Sequence, residues 1–120
     1  MRSQPEPLVR PRTVAECLER PAHAAPLDGA TRVGEAAGGG RMVRVGLWRD
    51  GPAVRARFRA STCASLIAYA EVACEALEAG ARPDAAALRT LVRGVHPSHR
   101  DRAELVAAAV RAALTTPEVP

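Results

Sequence analysis

The order of the predicted elements along the chain predicts an α+β fold, in which a small antiparallel sheet packs against helices. Two stretches, residues 42–49 and 53–59, alternate apolar and polar side chains. They are separated by Asp50, Gly51 and Pro52, so they are predicted to form a hairpin. One helical pattern precedes this hairpin and three follow it, and this order separates most of the helices from the strands.

A short helix is predicted before the hairpin. Thr13 followed by Glu16 has the spacing of a capping box, and Pro21 ends the helix. Residues 1–12 contain several prolines and charges and are predicted to form a flexible N-terminal arm. Residues 21–41 are rich in proline, alanine and glycine and are predicted to form a loop. A third strand is expected in the sheet, but the pattern does not place it.

The three helices after the hairpin are predicted to supply most of the core. The first begins after Ser61 or Thr62, repeats apolar residues at helical spacing and ends at Gly80. A shorter helix is predicted over residues 83–93, and a last helix over about residues 100–114. These elements define one domain over residues 13–115, followed by a C-terminal tail at 116–120.

The composition limits the kinds of protein that this chain can be. Hydrophobic residues make up 48% of the 120 residues and aromatic residues only 2%, so small aliphatic side chains must fill the core. The formal net charge is +4, and every basic residue is arginine. This bias runs through the whole sequence, so a local excess of arginine carries less information than usual. No signal peptide or membrane span is recognised, and the expected location is the cytoplasm.

Three cysteines, Cys17, Cys63 and Cys74, form no disulfide framework. Cys63 is predicted between the end of a strand and the start of a helix, where the helix field favours the thiolate. It is therefore a candidate functional thiol, although a small residue at a tight junction is the alternative. Cys74 lies about 16 Å along the same helix and is predicted to be a core residue, as is Cys17.

Two further groups are candidates for binding. His96 and His99 flank Pro97 before the last helix, and His99 could ligate a metal together with Cys63, although exposed loop histidines are the plainer interpretation. The outer face of the hairpin is basic and could bind a nucleic acid or an acidic partner, or could simply be solvated or covered by a helix. The chain has no catalytic triad or paired carboxylates at catalytic spacing, so no enzyme activity is expected. The residues of this arginine face are Arg44, Trp48, Arg55, Arg57 and Arg59.

Four segments follow one another in an order that resembles a known family. Residues 33–42 align without a gap on a Val-Gly-x-x-x-Cys-Gly-Asp-Val-Met pattern, and residues 57–64 on Arg-Phe-Lys-x-x-Gly-Cys-Gly/Ala. Residues 102–114 match Cys-x-x-Leu-x-x-x-Ala-Ile-Lys-Ala-Ala, and residues 19–27 match a Glu-Asn-Pro…Leu start. In these segments, and over roughly residues 13–115, the chain resembles the scaffold family of iron–sulfur cluster assembly, the NifU/IscU/SufU type.

The resemblance also implies that the site is degenerate. The family holds a [2Fe–2S] cluster or a zinc ion with three cysteines assisted by an aspartate. The matching positions here are Gly38 for the first cysteine, Gly40 for the aspartate and Arg102 for the third cysteine, so only Cys63 remains. A cluster or a closed zinc site needs about four donors, and one thiolate cannot supply them.

The function expected from this resemblance is that of an accessory or partner-binding scaffold-like protein with an incomplete cluster site. Its implied partners are a cysteine desulfurase or other iron–sulfur assembly proteins. A [2Fe–2S] cluster, iron or zinc would require a site shared between chains, as in a homodimer, and a single chain is expected to bind none. The alternative is an arginine-rich binding module on the same fold for an acidic protein or, less expected, a nucleic acid.

Overall fold

The computed structural model describes residues 9–117 and has an α+β architecture, which confirms the predicted fold class. In chain order the elements are β1 (Arg12–Thr13), α1 (Val14–Glu19), β2 (Arg32–Gly38), β3 (Arg41–Asp50), β4 (Ala53–Ala60), α2 (Ala64–Glu78), α3 (Ala85–Leu91), β5 (Val92–Arg93), a 3₁₀ turn (Pro97–His99) and α4 (Arg102–Thr115). A three-stranded antiparallel sheet, in the order β2–β3–β4, packs on one face against the helices α2 and α4. A second pairing joins the short strands β1 and β5 in parallel.

The third strand, β2, lies inside the segment predicted to be a loop, so that prediction is wrong for residues 32–38. Gly39 and Gly40 have φ values of 58° and 76°, as a two-residue hairpin turn requires, and they join β2 to β3. Gly34 faces α4 so closely that a Cβ there would lie 2.1 Å from the Ala113 nitrogen. Small residues permit this close approach of β2 to α4. Because glycine and alanine are neither strongly apolar nor polar, they give β2 no clear alternation of apolar and polar residues.

The core lies between the inner face of the sheet and the two long helices. Val43 and Val45 of β3 and Phe58 of β4 point inward and are buried, as the alternation predicts. Val54 is an exception and is exposed, because it stands at the end of the sheet. The hairpin around Gly51 is confirmed, and the helix predicted to follow it is present as α2.

The ends of the predicted helices differ in detail from the structure. The capping box of α1 is confirmed, since the Thr13 side chain accepts a hydrogen bond from the Glu16 N–H at 3.1 Å. The helix predicted over residues 83–93 ends at Leu91, because the next two residues form β5 and pair with β1. The last helix begins at Arg102, after the 3₁₀ turn.

The two ends of the chain lie partly outside the described residues. Of the predicted N-terminal arm, Val9 is buried and Arg12 pairs with Val92 in the sheet and with the Glu75 carboxylate of α2. Residues 9–12 therefore contact the domain, and residues 1–8 lie outside the described part of the chain. Residues 118–120 of the predicted tail also lie outside it.

Residues 21–31, here called the crossing segment, pass over the outer face of the sheet. At one end, the Phe58 N–H of β4 donates to the His23 carbonyl at 2.9 Å. At the other end, the Thr31 N–H donates to the Leu47 carbonyl of β3 at 2.8 Å. Between these two ends the segment passes over Gly46 of β3. The absence of a side chain there makes room for Leu27, since a Cβ on Gly46 would lie 3.0 Å from Leu27 Cδ2. The segment covers the free edge of β4 and part of the outer face.

Candidate functional site

Cys63 is the residue immediately before α2, as the sequence predicts. Its backbone is extended, with φ −148° and ψ 117°, and α2 then runs for fifteen residues. The side chain is half-buried and makes no capping hydrogen bond of normal geometry. The thiol therefore lies at the positive end of a long helix while remaining accessible to solvent.

Two arginines surround this thiol. Burial by itself raises the pKa of Cys63, but the Leu66 N–H of the first helical turn favours the thiolate. The guanidinium groups of Arg102 and Arg41 act in the same direction. Together these donors outweigh burial, so the pKa of the Cys63 thiol is lowered from its ordinary value.

Arg102 contacts both the Asp101 carboxylate and the Cys63 thiol. Its side chain is 12% exposed, and one terminal nitrogen donates to the Asp101 carboxylate at 2.5 Å. Its Nε is buried and has no hydrogen-bond partner among the described residues. Buried hydrogen-bond donors without a partner are uncommon in folded proteins. The Nε of Arg102 is such a donor, and it belongs to the guanidinium group beside the Cys63 thiol.

The two arginines beside this thiol, Arg41 and Arg102, also line a groove of about 490 Å³. The end of β2 and the β2–β3 turn form one wall, including Gly38 and Arg41, and the start of α4 forms the other, including Arg102. The structure thus brings Gly38 and Arg102 to one groove, with Cys63 next to Arg102. Gly40 lies in the adjoining turn, where a Cβ would have no neighbour within 4 Å.

The two candidate histidines differ in position. His99 lies near the thiol, because its Nδ1 is 3.3 Å from the Ser65 hydroxyl in the first turn of α2. His96 points back to its own turn and accepts a hydrogen bond from the Ser98 N–H at 3.1 Å. Within residues 9–117, no group of three or more histidine, cysteine or acidic side chains could hold a metal ion.

The other two cysteines belong to the core, as predicted. Cys17 in α1 and Cys74 in α2 are both fully buried. Burial raises the pKa of each thiol, so neither has the thiolate character of Cys63. The three cysteines are free thiols.

The arginine face lies on the outer side of the sheet, but several of its charges are paired. Arg44 Nε lies 2.5 Å from the Glu35 carboxylate, and Arg57 bends over the sheet edge to Glu78 at 2.8 Å. Arg55 lies over the Trp48 ring, 5.0 Å from its centroid. The crossing segment covers the middle of this face, so it is not one open basic surface.

A buried cluster of His23, Glu71 and Glu78 lies beside β4 and was not predicted from the sequence. Glu71 in α2 is 1% exposed and accepts hydrogen bonds from the backbone N–H and the ring of His23. The other ring nitrogen of His23 contacts Glu78 at 2.7 Å, and Glu78 accepts from the Ala56 N–H at 3.0 Å. The available signal was the position of Glu71 within the apolar stripe of its helix.

Comparison with known proteins identifies no family for this chain. No protein-family model matches it, and no curated protein matches its sequence. The resemblance to iron–sulfur scaffolds therefore rests on the four segments and remains a prediction. In the part of the chain that the structure describes, no helix has both the length and the apolar character needed to cross a membrane.

Proposed function

We propose that this protein is an accessory member of an iron–sulfur cluster assembly system that acts through the single thiolate of Cys63. The observation that carries this proposal is that Gly38 and Arg102 line one groove and that the Arg102 side chain contacts the Cys63 thiol. These three positions are far apart in sequence, and the resemblance assigns a ligand to each. Their proximity in the fold supports the proposal.

The same positions explain why the protein is not proposed to build a cluster alone. Glycine at position 38 offers no donor side chain, and Arg102 brings a positive charge next to the remaining thiol. A cluster needs about four thiolate or imidazole ligands. A cluster on this protein would therefore take its other ligands from a partner or a second copy of the chain.

The chemistry that suits one thiolate between two guanidinium groups is sulfur acceptance. The Cys63 thiolate attacks the outer sulfur of a persulfide on a cysteine desulfurase. A sulfur–sulfur bond forms on Cys63, the sulfur–sulfur bond of the donor breaks, and the donor leaves as a thiolate. The product persulfide is anionic, so Arg41 and Arg102 stabilise it as they stabilise the thiolate.

The direct test is sulfur transfer followed by intact mass. The full chain is incubated without oxygen with a cysteine desulfurase and free cysteine, and the mass gain is measured. We expect one added sulfur atom on the wild type and none on Cys63→Ser. Cys74→Ala is the matched control, because it removes a buried thiol and should leave the transfer unchanged.

Two results would contradict this function. One is the absence of any added sulfur on the wild type under conditions that load another acceptor protein. The other is equal loading of the wild type and Cys63→Ser, which would place the sulfur on a buried cysteine.

The alternative function, an arginine-rich binding module, has less support. Arg44 and Arg57 already contact Glu35 and Glu78, and Arg55 contacts Trp48. Charges that are paired within the chain contribute less to binding an acidic partner than free charges.

A further inference from the structure

The crossing segment covers the free edge of β4 beside His23. The Phe58 N–H donates to the His23 carbonyl at 2.9 Å, and the Ala25 N–H donates to the Phe58 carbonyl at 3.2 Å. The next donor along this edge, the Ala56 N–H, is bonded instead to the Glu78 carboxylate at 3.0 Å. An edge strand presents unpaired N–H and C=O groups unless the fold covers them, and here the cover at Phe58 is the main chain around His23.

The ring of His23 is held between two carboxylates of α2. Its Nδ1 contacts Glu71, and its Nε2 contacts Glu78 at 2.7 Å. The His23 side chain is 12% exposed and that of Glu71 is 1% exposed, so little water is available to replace these contacts. An ionised carboxylate only accepts hydrogen bonds, so both contacts are hydrogen bonds when both ring nitrogens carry a proton. The arrangement therefore fits the imidazolium form of the ring.

The other ionisable groups around the cluster keep their charge near neutral pH. Arg57 of β4 donates to Glu78 at 2.8 Å and stays a cation. The two thiols of the core beside the cluster, Cys74 of α2 and Cys17 of α1, have a pKa that burial raises, so they stay neutral. Of these groups, His23 is the one whose charge changes as the pH rises above about 6.5.

The other end of the crossing segment is fixed by apolar and main-chain contacts. Leu27 lies over Gly46 of β3, and the Thr31 N–H donates to the Leu47 carbonyl at 2.8 Å. Gly29, at φ 79°, makes the turn between these two contacts. None of them involves a titrating group, so this end can stay in place while the His23 end moves.

We propose that the His23 end of the crossing segment is a cover on the edge of β4 that one proton controls. The cover is closed while the His23 ring is protonated, and it opens when that proton is lost. A neutral ring presents a lone pair to one of its two carboxylate neighbours, so one of the two hydrogen bonds becomes a repulsive contact. Opening breaks the two main-chain bonds to Phe58 and leaves this part of the sheet edge unpaired.

The direction of the pH dependence follows from the two environments of the ring. In the open form the ring is in water and has the ordinary pKa of about 6.5. In the closed form the hydrogen bond to Glu71 raises the pKa of His23 more than burial lowers it. The cover is therefore closed near pH 6.5, and opening becomes more frequent as the pH rises through the raised pKa. The inference does not depend on the function proposed for Cys63.

Amide hydrogen exchange measured by NMR on the full-length protein tests the cover directly. Protection factors of the Phe58 and Ala25 amides are compared between about pH 6 and about pH 9, which brackets the ordinary pKa of histidine. We expect both to fall at least about tenfold, since opening no longer breaks a hydrogen bond between two charged groups.

Low concentrations of urea separate this local opening from unfolding of the whole domain. Local opening exposes little surface, so the protection of Phe58 should be nearly independent of urea. Val45 in the central strand β3 should instead lose protection as urea is added, because its amide exchanges through global unfolding.

Matched variants identify the group that titrates. His23→Gln removes the titrating ring, so the protection of Phe58 should no longer change with pH. His96→Gln is the control, because this exposed histidine bonds within its own turn, and it should keep the wild-type pH dependence. Cys63→Ser should keep it as well, whatever its effect on sulfur transfer. Circular dichroism checks that each variant folds, and the wild-type urea comparison decides the proposal if His23→Gln does not.

Three results would overturn the proposal. The first is a protection factor of Phe58 in the wild type that does not change over this pH range. The second is the same dependence on urea for Phe58 and Val45, which would mean that the edge opens only when the domain unfolds. The third is a pH dependence in His23→Gln equal to that of the wild type.

Discussion

At the scale of single residues, Cys63 is set apart from Cys17 and Cys74 by its electrostatic surroundings. It faces Arg41 and Arg102 at the start of a helix, whereas the other two thiols are fully buried in the core. The lowered pKa of Cys63 and the raised pKa values of the buried thiols follow from this difference. The reactivity of the three cysteines should differ accordingly.

We expect iodoacetamide near neutral pH to alkylate Cys63 first. Replacing Arg102 with glutamine should raise the pKa of Cys63 and slow its alkylation, since an interaction of about 1 kcal/mol changes the thiolate fraction roughly fivefold. The measurement is the rate against pH, followed by peptide mass analysis. Arg111→Gln is the control for a general change in charge. An unchanged midpoint in Arg102→Gln would show that this guanidinium does not stabilise the thiolate.

At the scale of elements, the packing of β2 on α4 depends on one glycine. A Cβ at Gly34 would lie 2.1 Å from the Ala113 nitrogen and 2.3 Å from the Ala109 carbonyl oxygen, both of them backbone atoms of α4. A backbone atom cannot move aside as the end of a flexible side chain can, so the helix would have to move as a whole.

We therefore expect Gly34→Ala to lower the free energy of unfolding by about 2 kcal/mol or more. Gly38→Ala in the same strand is the matched control, because its nearest neighbour would be Leu105 Cδ1 at 3.8 Å. That change should stay within about 0.5 kcal/mol of the wild type. Urea denaturation of both variants measures the difference, and equal stabilities would contradict the close approach of β2 and α4.

The crossing segment is fastened to α2 by the cluster of His23 with Glu71 and Glu78. The pKa of His23 is raised, first by its hydrogen bond to Glu71 and in spite of burial, which lowers it. The folded state thus binds this proton more tightly than the unfolded state. The resulting stabilisation is fully present below about pH 6.5, and it is lost as the pH rises through the raised pKa.

We expect the free energy of unfolding to fall with pH in that interval, and His23→Gln to flatten the fall. His23→Ala should destabilise the fold by about 3 kcal/mol, because it leaves the buried Glu71 carboxylate without its ring partner. His96→Ala should change stability by no more than about 0.5 kcal/mol, since His96 is exposed and its hydrogen bonds to described residues stay within its own turn. A pH profile that is the same in wild type and His23→Gln would contradict this role.

The sequence predicts the elements with strong periodicity and misses those defined by close contacts. The alternation around Val43 and Phe58 and the helical spacing of α2 were sufficient to predict the hairpin and the helix after it. The strand β2 was not predicted because its residues are mostly small, and such a composition resembles that of a loop. The close approach of α4 requires a small residue at Gly34. The contact of His23 with Glu71 joins residues 48 positions apart, and no local pattern encodes it.

At the scale of the whole molecule, the candidate site depends on three distant segments that the fold brings together. The end of β2, the start of α2 and the start of α4 supply Gly38, Cys63 and Arg102. The position of Cys63 before α2 was predictable from the strand and helix patterns alone. The guanidinium of Arg102 beside the thiol was not, because it depends on how α4 packs.

The central proposal is that the groove corresponds to a cluster site from which most ligands have been replaced. The most direct measurement is anaerobic reconstitution with iron and sulfide of a variant that restores them, Gly38→Cys with Gly40→Asp and Arg102→Cys. We predict that this variant binds a cluster with visible absorption bands, and that the wild type and the same variant carrying Cys63→Ser do not. A restored variant that binds no more iron than the wild type would contradict the claim.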